Sequence, residues 1–286
     1  MKISVIIPVL NEEKYIYSCL KSLEKNTCKA NEIIVVDGGS NDKTCEIALE
    51  FDNVLVLKNE KKNAAAGRNI GIKYASGDII AFTDGDCVVA ENWIEEIKKA
   101  FVENEVQGIG GKVEIAPYEN EYEKYWGELA WKHIMSFGTE SYVVRKKTLN
   151  DAFVTANCAY SRKLLMQLEG FDEWFANNAE DIDICWRALE HSANLMYVPS
   201  VVIFAHSVTT LKGIKNKSFR NGVSSSKLQK KYGGFVNYDW NIYKMWASNL
   251  IGILKKENNA KLNFIELTWH LLGKYYGSIL AQVINI

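Results

Sequence analysis

The sequence has no closely spaced cysteine pair, few prolines and almost no net charge. Each of these features excludes some classes of protein or partner. The six cysteines are scattered with no Cys-x-x-Cys pair. Such usage is typical of reduced thiols, so we predict a cytoplasmic protein. Only three prolines occur in 286 residues, and no linker is evident. With 34 Lys and Arg against 35 Asp and Glu, the net charge is −1, which gives no electrostatic reason to expect a nucleic acid partner.

Glycine-rich nucleotide motifs are also missing. A dinucleotide-binding dehydrogenase needs Gly-x-Gly-x-x-Gly after its first strand, but the segment there reads IPVLNEE. No Gly-Lys-Ser or Gly-Lys-Thr occurs, which excludes a P-loop nucleotidase. The opening MKISVIIPVL is apolar but too short for a signal peptide, and the charged NEEKY follows it. We therefore assign this opening segment to a first strand.

Up to about residue 115, apolar runs alternate with amphipathic segments. The run ISVIIPV predicts a strand covered on both faces. A helix is predicted after it, with Asn11 as its cap. Its apolar residues fall on one face: Ile16, Cys19, Leu20 and Leu23. Further strands are predicted at EIIVVD, NVLVLK and DIIAFTD, with helices between them. The alternation predicts an α/β fold with a mostly parallel sheet and right-handed crossovers.

Beyond residue 115 the pattern is less regular. A strand at GIGGKVEI and an aromatic-rich helix are predicted first, and residues 136–150 are predicted to form a loop with a basic cluster. A helix is predicted over NNAEDIDICWRALE, followed by two short strands within ANLMYVPSVVIFAH.

The segment LNFIELTWHLLGKYYGSILAQVINI, residues 262–286, is amphipathic and aromatic. Glu266 and Lys274 interrupt it, so it falls short of the ~18 uncharged apolar residues expected of a spanning helix. We predict a helix that packs on its own domain. Peripheral contact with a membrane surface and a homodimer contact are the alternatives.

Two aspartates separated by one glycine follow the fourth predicted strand, in the sequence FTDGDC. Ligands bind at the carboxyl ends of parallel strands, where Asp84 and Asp86 are expected. Asp37 ends another strand and could approach Asp84 there. Such carboxylates suit Mg²⁺ or Mn²⁺ with substrate phosphates. The alternative is a simple Asp-Gly-Asp turn.

The ordered set of motifs resembles glycosyltransferase family 2. The resemblance covers roughly residues 3–206 and rests on VIIPVLNEEKYI, IIVVDGGSNDKT, AAGRNIGIKYASGDIIAFTDGDC and NNAEDIDICWRAL. It implies the GT-A fold of nucleotide-diphospho-sugar transferases, a mostly parallel Rossmann-like sheet flanked by helices, with a C-terminal helical extension. We expect a catalytic domain at 1–210, with a nucleotide-sugar-binding half at 1–115 and an acceptor-binding half at 116–210. The helical extension then covers 211–286.

The resemblance assigns the nucleotide-sugar pocket to residues in the first half. Pro8 and Val9 look like its lip, and Glu12 is expected near the ribose or base. Asp37 looks like the carboxylate that hydrogen-bonds the base, and Arg68 like the family's Gly-Arg-Asn arginine. Each has a plainer alternative: a strand end for Pro8, a first-turn acid for Glu12, a cap for Asp37 and a solvated helix residue for Arg68.

The same resemblance makes Asp84, Gly85 and Asp86 the metal- and diphosphate-binding motif. A divalent cation between the two carboxylates and the phosphates makes their like charges tolerable. Mn²⁺ or Mg²⁺ is the expected cofactor, and it would act as a Lewis acid on the leaving diphosphate.

The second half supplies the expected acceptor side. Glu180 and Asp181 resemble the family's Glu-Asp pair; we assign the general base to Asp181 and acceptor positioning to Glu180, and the order could be swapped. Trp174 is a candidate stacking surface for an acceptor sugar or else a core residue. His206 resembles a third metal ligand, and the alternative is a core or edge histidine.

The function that the resemblance implies is metal-dependent, inverting transfer of one sugar or a few to a hydroxyl group. A UDP-sugar is the expected donor, and a glycan or a lipid-linked saccharide the expected acceptor. The Gln-x-x-Arg-Trp motif of processive synthases is missing. Basic residues that could assist the leaving diphosphate from mobile loops are Arg145, Lys146, Lys147, Lys217 and Arg220. A non-catalytic nucleotide-sugar-binding or scaffold protein is the alternative, and location on the inner face of the cell membrane is an open possibility.

Overall fold

The computed structural model describes residues 1–134, 138–149, 151–176, 178–233 and 240–281. Its strands are β1 Ile3–Val9, β2 Glu32–Asp37, β3 Val54–Lys58, β4 Ile79–Phe82, β5 Cys87–Val89, β6 Gly108–Ile115, β7 Tyr142–Val144, β8 Cys158–Ser161 and β9 Leu195–Ala205. Its helices are α1 Ile16–Glu24, α2 Thr44–Ala48, α3 Ala64–Tyr74, α4 Trp93–Glu103, α5 Glu121–Ile134, α6 Arg162–Gln167, α7 Glu180–Glu190, α8 Leu211–Tyr232, α9 Trp240–Leu254 and α10 Ala260–Leu280.

One sheet joins these strands in the order β3-β2-β1-β4-β8-β6-β9-β5, and β7 pairs with β9. The four N-terminal strands are parallel to one another, as expected when helices connect them. Strands β8, β5 and β7 join antiparallel, so the sheet as a whole is mixed. The predicted α/β fold with flanking helices and a helical C-terminal region is confirmed.

Strand β1 is buried along its length because both of its faces are covered. Its residues Ile3, Val5 and Ile7 belong to a core cluster that includes residues of α1 and α4. Ile6 points to the other face, into a second cluster with residues of α3 and α7. This division follows from the alternation of side chains along a strand. It explains why the sequence there is a continuous apolar run.

Three local predictions from the sequence are wrong. Asn11 does not cap α1, which begins at Ile16; Asn11 has a positive φ of 57°, and its Oδ1 accepts from the Asn41 N–H at 2.8 Å. The loop predicted at 136–150 contains strand β7, although residues 136, 137 and 150 lie outside the described residues. The two strands predicted within 193–206 form the single strand β9, whose pairing with β6 shifts register after Gly111.

The chain divides into two compact units. The sheet unit comprises residues 1–117, 131–176 and 180–206, and the helical unit comprises 118–130, 177–179 and 207–286. Within the helical unit, α8 and α10 approach each other closely at glycines. A Cβ at Gly273 would lie 2.0 Å from the Phe219 carbonyl oxygen, and one at Gly222 would lie 2.0 Å from the His270 carbonyl oxygen. No helix within the described residues is both long enough and apolar enough to cross a bilayer.

Substitution of Gly273 is expected to destabilise the helical unit. Alanine gains ~1 kcal/mol of helix propensity over glycine, but its Cβ would overlap the Phe219 carbonyl. We expect Gly273→Ala to lower the free energy of unfolding by about 1–3 kcal/mol, the usual cost of overpacking. Urea unfolding followed by circular dichroism measures this loss. The exposed Ser248→Ala substitution in α9 is the control, and equal stability of the two variants would contradict the close helix contact.

Candidate active site

The carboxyl ends of β1, β2 and β4 bring several predicted site residues to one edge of the sheet. Val9 at the end of β1 lies opposite Asp37 at the end of β2. On the other side of β1, Ile6 pairs with Phe82 of β4, and Asp84 follows two residues later. The Gly38 N–H donates to the Val9 carbonyl oxygen at 2.9 Å. The loops that follow these strands therefore begin at the same edge of the sheet, with β1 between the strands that carry Asp37 and Asp84.

Arg68 is the buried centre of a network of charges. Its Nη1 donates to Glu180 Oε1 at 2.7 Å, and its Nη2 donates to Asp84 Oδ1 at 3.0 Å. Its side chain is 3% exposed, against 36% for Asp84. Burial opposes the charge of Arg68, but Asp84 and Glu180 outweigh it and raise the pKa of the guanidinium. The alternative of a solvated helix residue is therefore wrong for Arg68.

The Glu-Asp pair begins α7. Glu180 is buried, and its Oε2 has no hydrogen-bond partner within the described residues. Burial raises the pKa of Glu180 to about 7, with Arg68 acting in the opposite direction. Burial also raises the pKa of Asp181, whose Oδ1 accepts from the Ile182 N–H at 2.8 Å. A carboxylate whose pKa is raised is a stronger proton acceptor, as a general base requires.

Asp183, two residues further along α7 than Asp181, has a structural role. Its Oδ2 accepts from Arg187 Nε at 2.7 Å across one helical turn. Arg187 also donates to the carbonyl oxygens of Leu168 and Gly170. Asp183 therefore anchors the helix, while Glu180 and Asp181 remain the candidates for chemistry.

Glu12 and Gly85 lie against each other at the end of β1. A Cβ on Gly85 would lie 3.0 Å from Val9 Cγ1 and 3.2 Å from Glu12 Cγ, so the turn between Asp84 and Asp86 has little room for a side chain. Burial raises the pKa of Glu12 to about 8, and Asp86, Asp84 and Asp42 raise it further. The site thus gathers negative charge that a bound cation would relieve.

His206 lies beside Asp86. The backbone N–H of His206 donates to the backbone carbonyl oxygen of Asp86 at 3.1 Å. This contact follows from the pairing of the preceding residue, Ala205 of β9, with Cys87 of β5. The ring of Tyr15 stacks on the ring of His206, with centroids 4.4 Å apart and an interplanar angle of 24°. Tyr15 is not a candidate that the sequence indicates, since no motif marks a single aromatic residue before a helix.

The carboxylate of Asp37 is engaged by its own loop. Oδ2 accepts from the Gly39 N–H at 3.0 Å, and Oδ1 accepts from the Ser40 N–H at 3.0 Å and the Ser40 hydroxyl at 2.6 Å. Gly39 has a φ of +91°, a conformation that favours glycine. This arrangement holds Asp37 in a fixed orientation at the end of β2.

Trp174, Lys147, Lys217 and Arg220 were also candidates from the sequence. Trp174 is 41% exposed and packs edge-on against Phe175, with centroids 5.3 Å apart, so it is not a core residue. Lys147 forms an ion pair with Glu190. Lys217 and Arg220 belong to helix α8, which corrects their prediction as loop residues.

The residues present are compatible with a divalent cation at Asp84 and Asp86. Within the described part of the chain, no three or more His, Cys, Asp or Glu side chains form a ready metal cluster. Mg²⁺ is commonly held by one or two carboxylates together with substrate phosphates and water, so two aspartates suffice. Asp86 and Asp84 contribute to the raised pKa of Glu12, after the larger effect of burial.

A sequence model described as "Glycosyl transferase family 2" matches residues 4–168. The chain belongs to this family. The matched range contains Pro8, Asp37, Arg68 and the Asp84–Asp86 motif. The residues Glu180, Asp181 and His206 lie beyond it. The family resemblance inferred from the motifs is thereby confirmed.

Relatives and solved structures agree with this membership. The chain is 40% identical over 120 residues to "Glycosyltransferase AglE" of Haloferax volcanii, which is 40% of each protein. It is 24% identical over 253 residues, 83% of this chain and 76% of the relative, to the Methanococcus voltae "Dolichyl N-acetyl-alpha-D-glucosaminyl phosphate 3-beta-D-2,3-diacetamido-2,3-dideoxy-beta-D-glucuronosyltransferase". The match to AglE covers 40% of that protein, which is well under two thirds of its length.

The crystal structure of S. aureus TarS residues 1–349 superposes with a TM-score of 0.60 at 18% identity. It covers 100% of this chain and 93% of the TarS chain. Identity this low supports the fold alone, and the GT-A fold is confirmed on that basis.

Proposed function

We propose that this chain is an inverting glycosyltransferase that moves a sugar from a nucleotide-diphosphate donor to a hydroxyl group of a glycan or lipid-linked acceptor. The observation that carries the proposal is the buried Arg68, whose guanidinium joins Asp84 of the donor motif to Glu180 of the Glu-Asp pair. The carboxylates that we assign to the donor side and to the acceptor side thus contact the same guanidinium. One catalytic centre requires this proximity.

The donor side is assigned to the ends of β1, β2 and β4. Asp37, held by Gly39 and Ser40, would orient the nucleoside, with Pro8, Val9 and Glu12 at the edge of the pocket. Asp84 and Asp86, with His206 beside Asp86, would hold Mn²⁺ or Mg²⁺. When bound, such a cation stabilises the negative charge of the leaving diphosphate.

The acceptor side is assigned to the start of α7. Asp181 would take the proton of the acceptor hydroxyl as its oxygen bonds to the anomeric carbon. The bond from that carbon to the diphosphate oxygen breaks, and its electron pair leaves with the nucleoside diphosphate. Glu180, fixed by Arg68 at 2.7 Å, would position the acceptor, and the exposed Trp174 would offer it an aromatic face.

Two similarities favour a UDP-sugar as the donor and a lipid-linked saccharide as the acceptor. TarS, which shares the fold, has structures with UDP and with UDP-GlcNAc. The name of the M. voltae relative describes glycosyl transfer onto a dolichyl phosphate sugar. The alternative function is a nucleotide-sugar-binding protein of the same fold without turnover, and it predicts donor binding alone.

Thermal stability measured against UDP-, GDP-, dTDP- and CMP-sugars, with and without Mn²⁺, tests the donor side. A ligand at ~100 times its dissociation constant adds about 2.7 kcal/mol to the free energy of unfolding. We expect stabilisation by a UDP-sugar that depends on Mn²⁺. Asp86→Asn should abolish the metal-dependent part and His206→Ala should weaken it.

The exposed Asp52→Asn substitution is the matched control, since Asp52 lies in a turn before β3. It should behave as the unmodified protein does. A folded protein that no donor stabilises, with or without metal, would contradict the donor site. An unchanged Mn²⁺ effect in His206→Ala would remove His206 from the metal ligands.

A further inference from the structure

The net charge of the whole chain is close to zero, but acidic and basic residues are concentrated in different parts of the sequence. Residues 207–286 contain twelve Lys and Arg against three Asp and Glu, a net charge of +9, whereas the first 206 residues carry −10. Helix α8 alone contains seven basic residues and no acidic one. Segregation of this kind indicates a negatively charged partner for the basic segment.

Helix α9 presents an apolar stripe to solvent. The stripe has the i, i+3, i+4, i+7 spacing of one helix face and consists of exposed residues: Ala247, Leu250, Ile251 and Leu254. Leu254 is 81% exposed. Trp246, which is outside the stripe, contacts α10, and its Nε1 donates to Thr268 at 2.8 Å. The exposed stripe is therefore additional to the face that holds α9 in place.

Helix α10 presents a second stripe of the same kind. Its exposed residues recur at i, i+3, i+4, i+7 and i+8: Leu272, Tyr275, Tyr276, Ile279 and Leu280. The intervening glycines Gly273 and Gly277 face α8 in close contact. The last turns of α10 thus bury their small residues and expose their large apolar residues. In water the opposite arrangement is favoured, because removing apolar surface from water is favourable.

Basic side chains lie at the margins of both stripes. Lys255 and Lys256 follow Leu254 directly and are exposed. On α8, Arg220 lines an open cavity of about 360 Å³ with Asn216, Phe219 and Trp269. Phe219 also contacts Tyr276 of the α10 stripe, with ring centroids 5.7 Å apart. Each apolar stripe therefore has at least one basic side chain near it.

We propose that the helical unit docks on the surface of an anionic lipid bilayer through the α9 and α10 stripes. Apolar faces flanked by basic residues are the pattern of helices that lie in the membrane interface. Each Lys or Arg near an anionic surface adds about 1 kcal/mol to binding. The Arg220 cavity is placed to receive a lipid phosphate, which Arg binds through paired donors.

Charge decides between a bilayer and a second copy of the chain as the occupant. A dimer formed through these stripes would bring two segments of net charge +9 together, and like charges repel at such contacts. An anionic bilayer matches both the charge and the apolar residues. This inference concerns only residues 207–281 and stands apart from the proposed chemistry.

Co-sedimentation with vesicles tests the proposal. We expect binding to mixed phosphatidylcholine–phosphatidylglycerol vesicles that is much weaker with pure phosphatidylcholine and falls as salt rises. The double variant Ile251→Asn, Leu254→Asn should weaken binding about tenfold or more, because its two apolar side chains no longer leave water. Lys255→Gln and Lys256→Gln should each weaken it about fivefold.

Matched controls come from the sheet unit. Leu49→Asn replaces a leucine that is 67% exposed, and Lys99→Gln replaces an exposed lysine of α4; neither should change binding. No binding to the anionic vesicles, or equal binding by the stripe and control variants, would overturn the proposal. A dimer detected by sedimentation velocity would also overturn the proposal if the stripe variants dissociated it and Leu49→Asn did not.

Discussion

Asp181→Asn is expected to lower kcat by about 10²–10⁴-fold, the usual contribution of a positioned general base. Asparagine preserves the size of the side chain and an oxygen to accept the Ile182 N–H. It cannot take the proton of an acceptor hydroxyl. Donor affinity should be unchanged, because Asp181 is assigned to the acceptor side. Turnover measured by release of nucleoside diphosphate, with donor binding measured in parallel, checks both parts.

The pH dependence of turnover gives a second readout for Asp181. Burial raises the pKa of its carboxyl group, and a general base acts only when deprotonated. Activity should therefore be present above this raised pKa and fall as the pH drops through it. The variant should lose that acidic limb. Asp52→Asn serves again as the control, and turnover retained in Asp181→Asn would transfer the role of base to another group, Glu180 first.

Arg68→Met is expected to cost about 3–5 kcal/mol of stability, the range for removing one partner of a buried ion pair. Arg68 and Glu180 are both almost fully buried, so solvent does not screen the charge left behind on Glu180. Asp84 is more exposed, so the loss of its ion pair with Arg68 contributes less to the decrease in stability. Arg68→Lys should also be damaging, because a single ammonium group cannot reproduce the forked contacts to two carboxylates. Urea unfolding measures both variants.

The double variant Arg68→Met, Glu180→Gln separates charge from packing. Removal of both partners leaves no unpaired ion, so part of the stability should return. The pH dependence has a defined sign. The pKa of Glu180 in the folded protein lies above its usual value, so its contribution to stability is present at low pH and is lost as the pH rises through about 7. In Arg68→Met the pKa of Glu180 should rise further, because Arg68 lowers it in the unmodified protein, so the loss of stability should extend to higher pH. Equal losses in the single and double variants, at all pH values, would contradict the ion pair.

The N-terminal part of the fold could be predicted because its strands are buried on both faces. The run at Ile3–Val9 reads as a strand without knowledge of its neighbours, and helices between successive strands impose parallel pairing. The antiparallel entry of β8 between β4 and β6 has no such signal, since four residues of the sequence CAYS do not specify a direction. Strand β7 is three residues long and depends on its partner β9 for its existence.

For the candidate site, the sequence indicated which residues to consider but not the contacts between their side chains. Motifs marked Asp37, Asp84, Asp181 and Arg68, but only the three-dimensional arrangement shows that Arg68 is buried between two carboxylates. The position of Tyr15 against His206 depends on the pairing of β5 with β9, which is remote in sequence. Asn11 was misjudged because a good capping residue can equally serve a turn with positive φ.

The pairing of β5 with β9 also sets the order in which the site can form during synthesis. Cys87 emerges from the ribosome more than a hundred residues before its partner Ala205, an interval of several seconds at ~5–20 residues per second. Until then His206 is not beside Asp86, and β5 has no strand partner on either side. The parallel strands can assemble early from near neighbours, whereas the proposed metal-binding corner is among the last parts to close, as contacts of high sequence separation generally are.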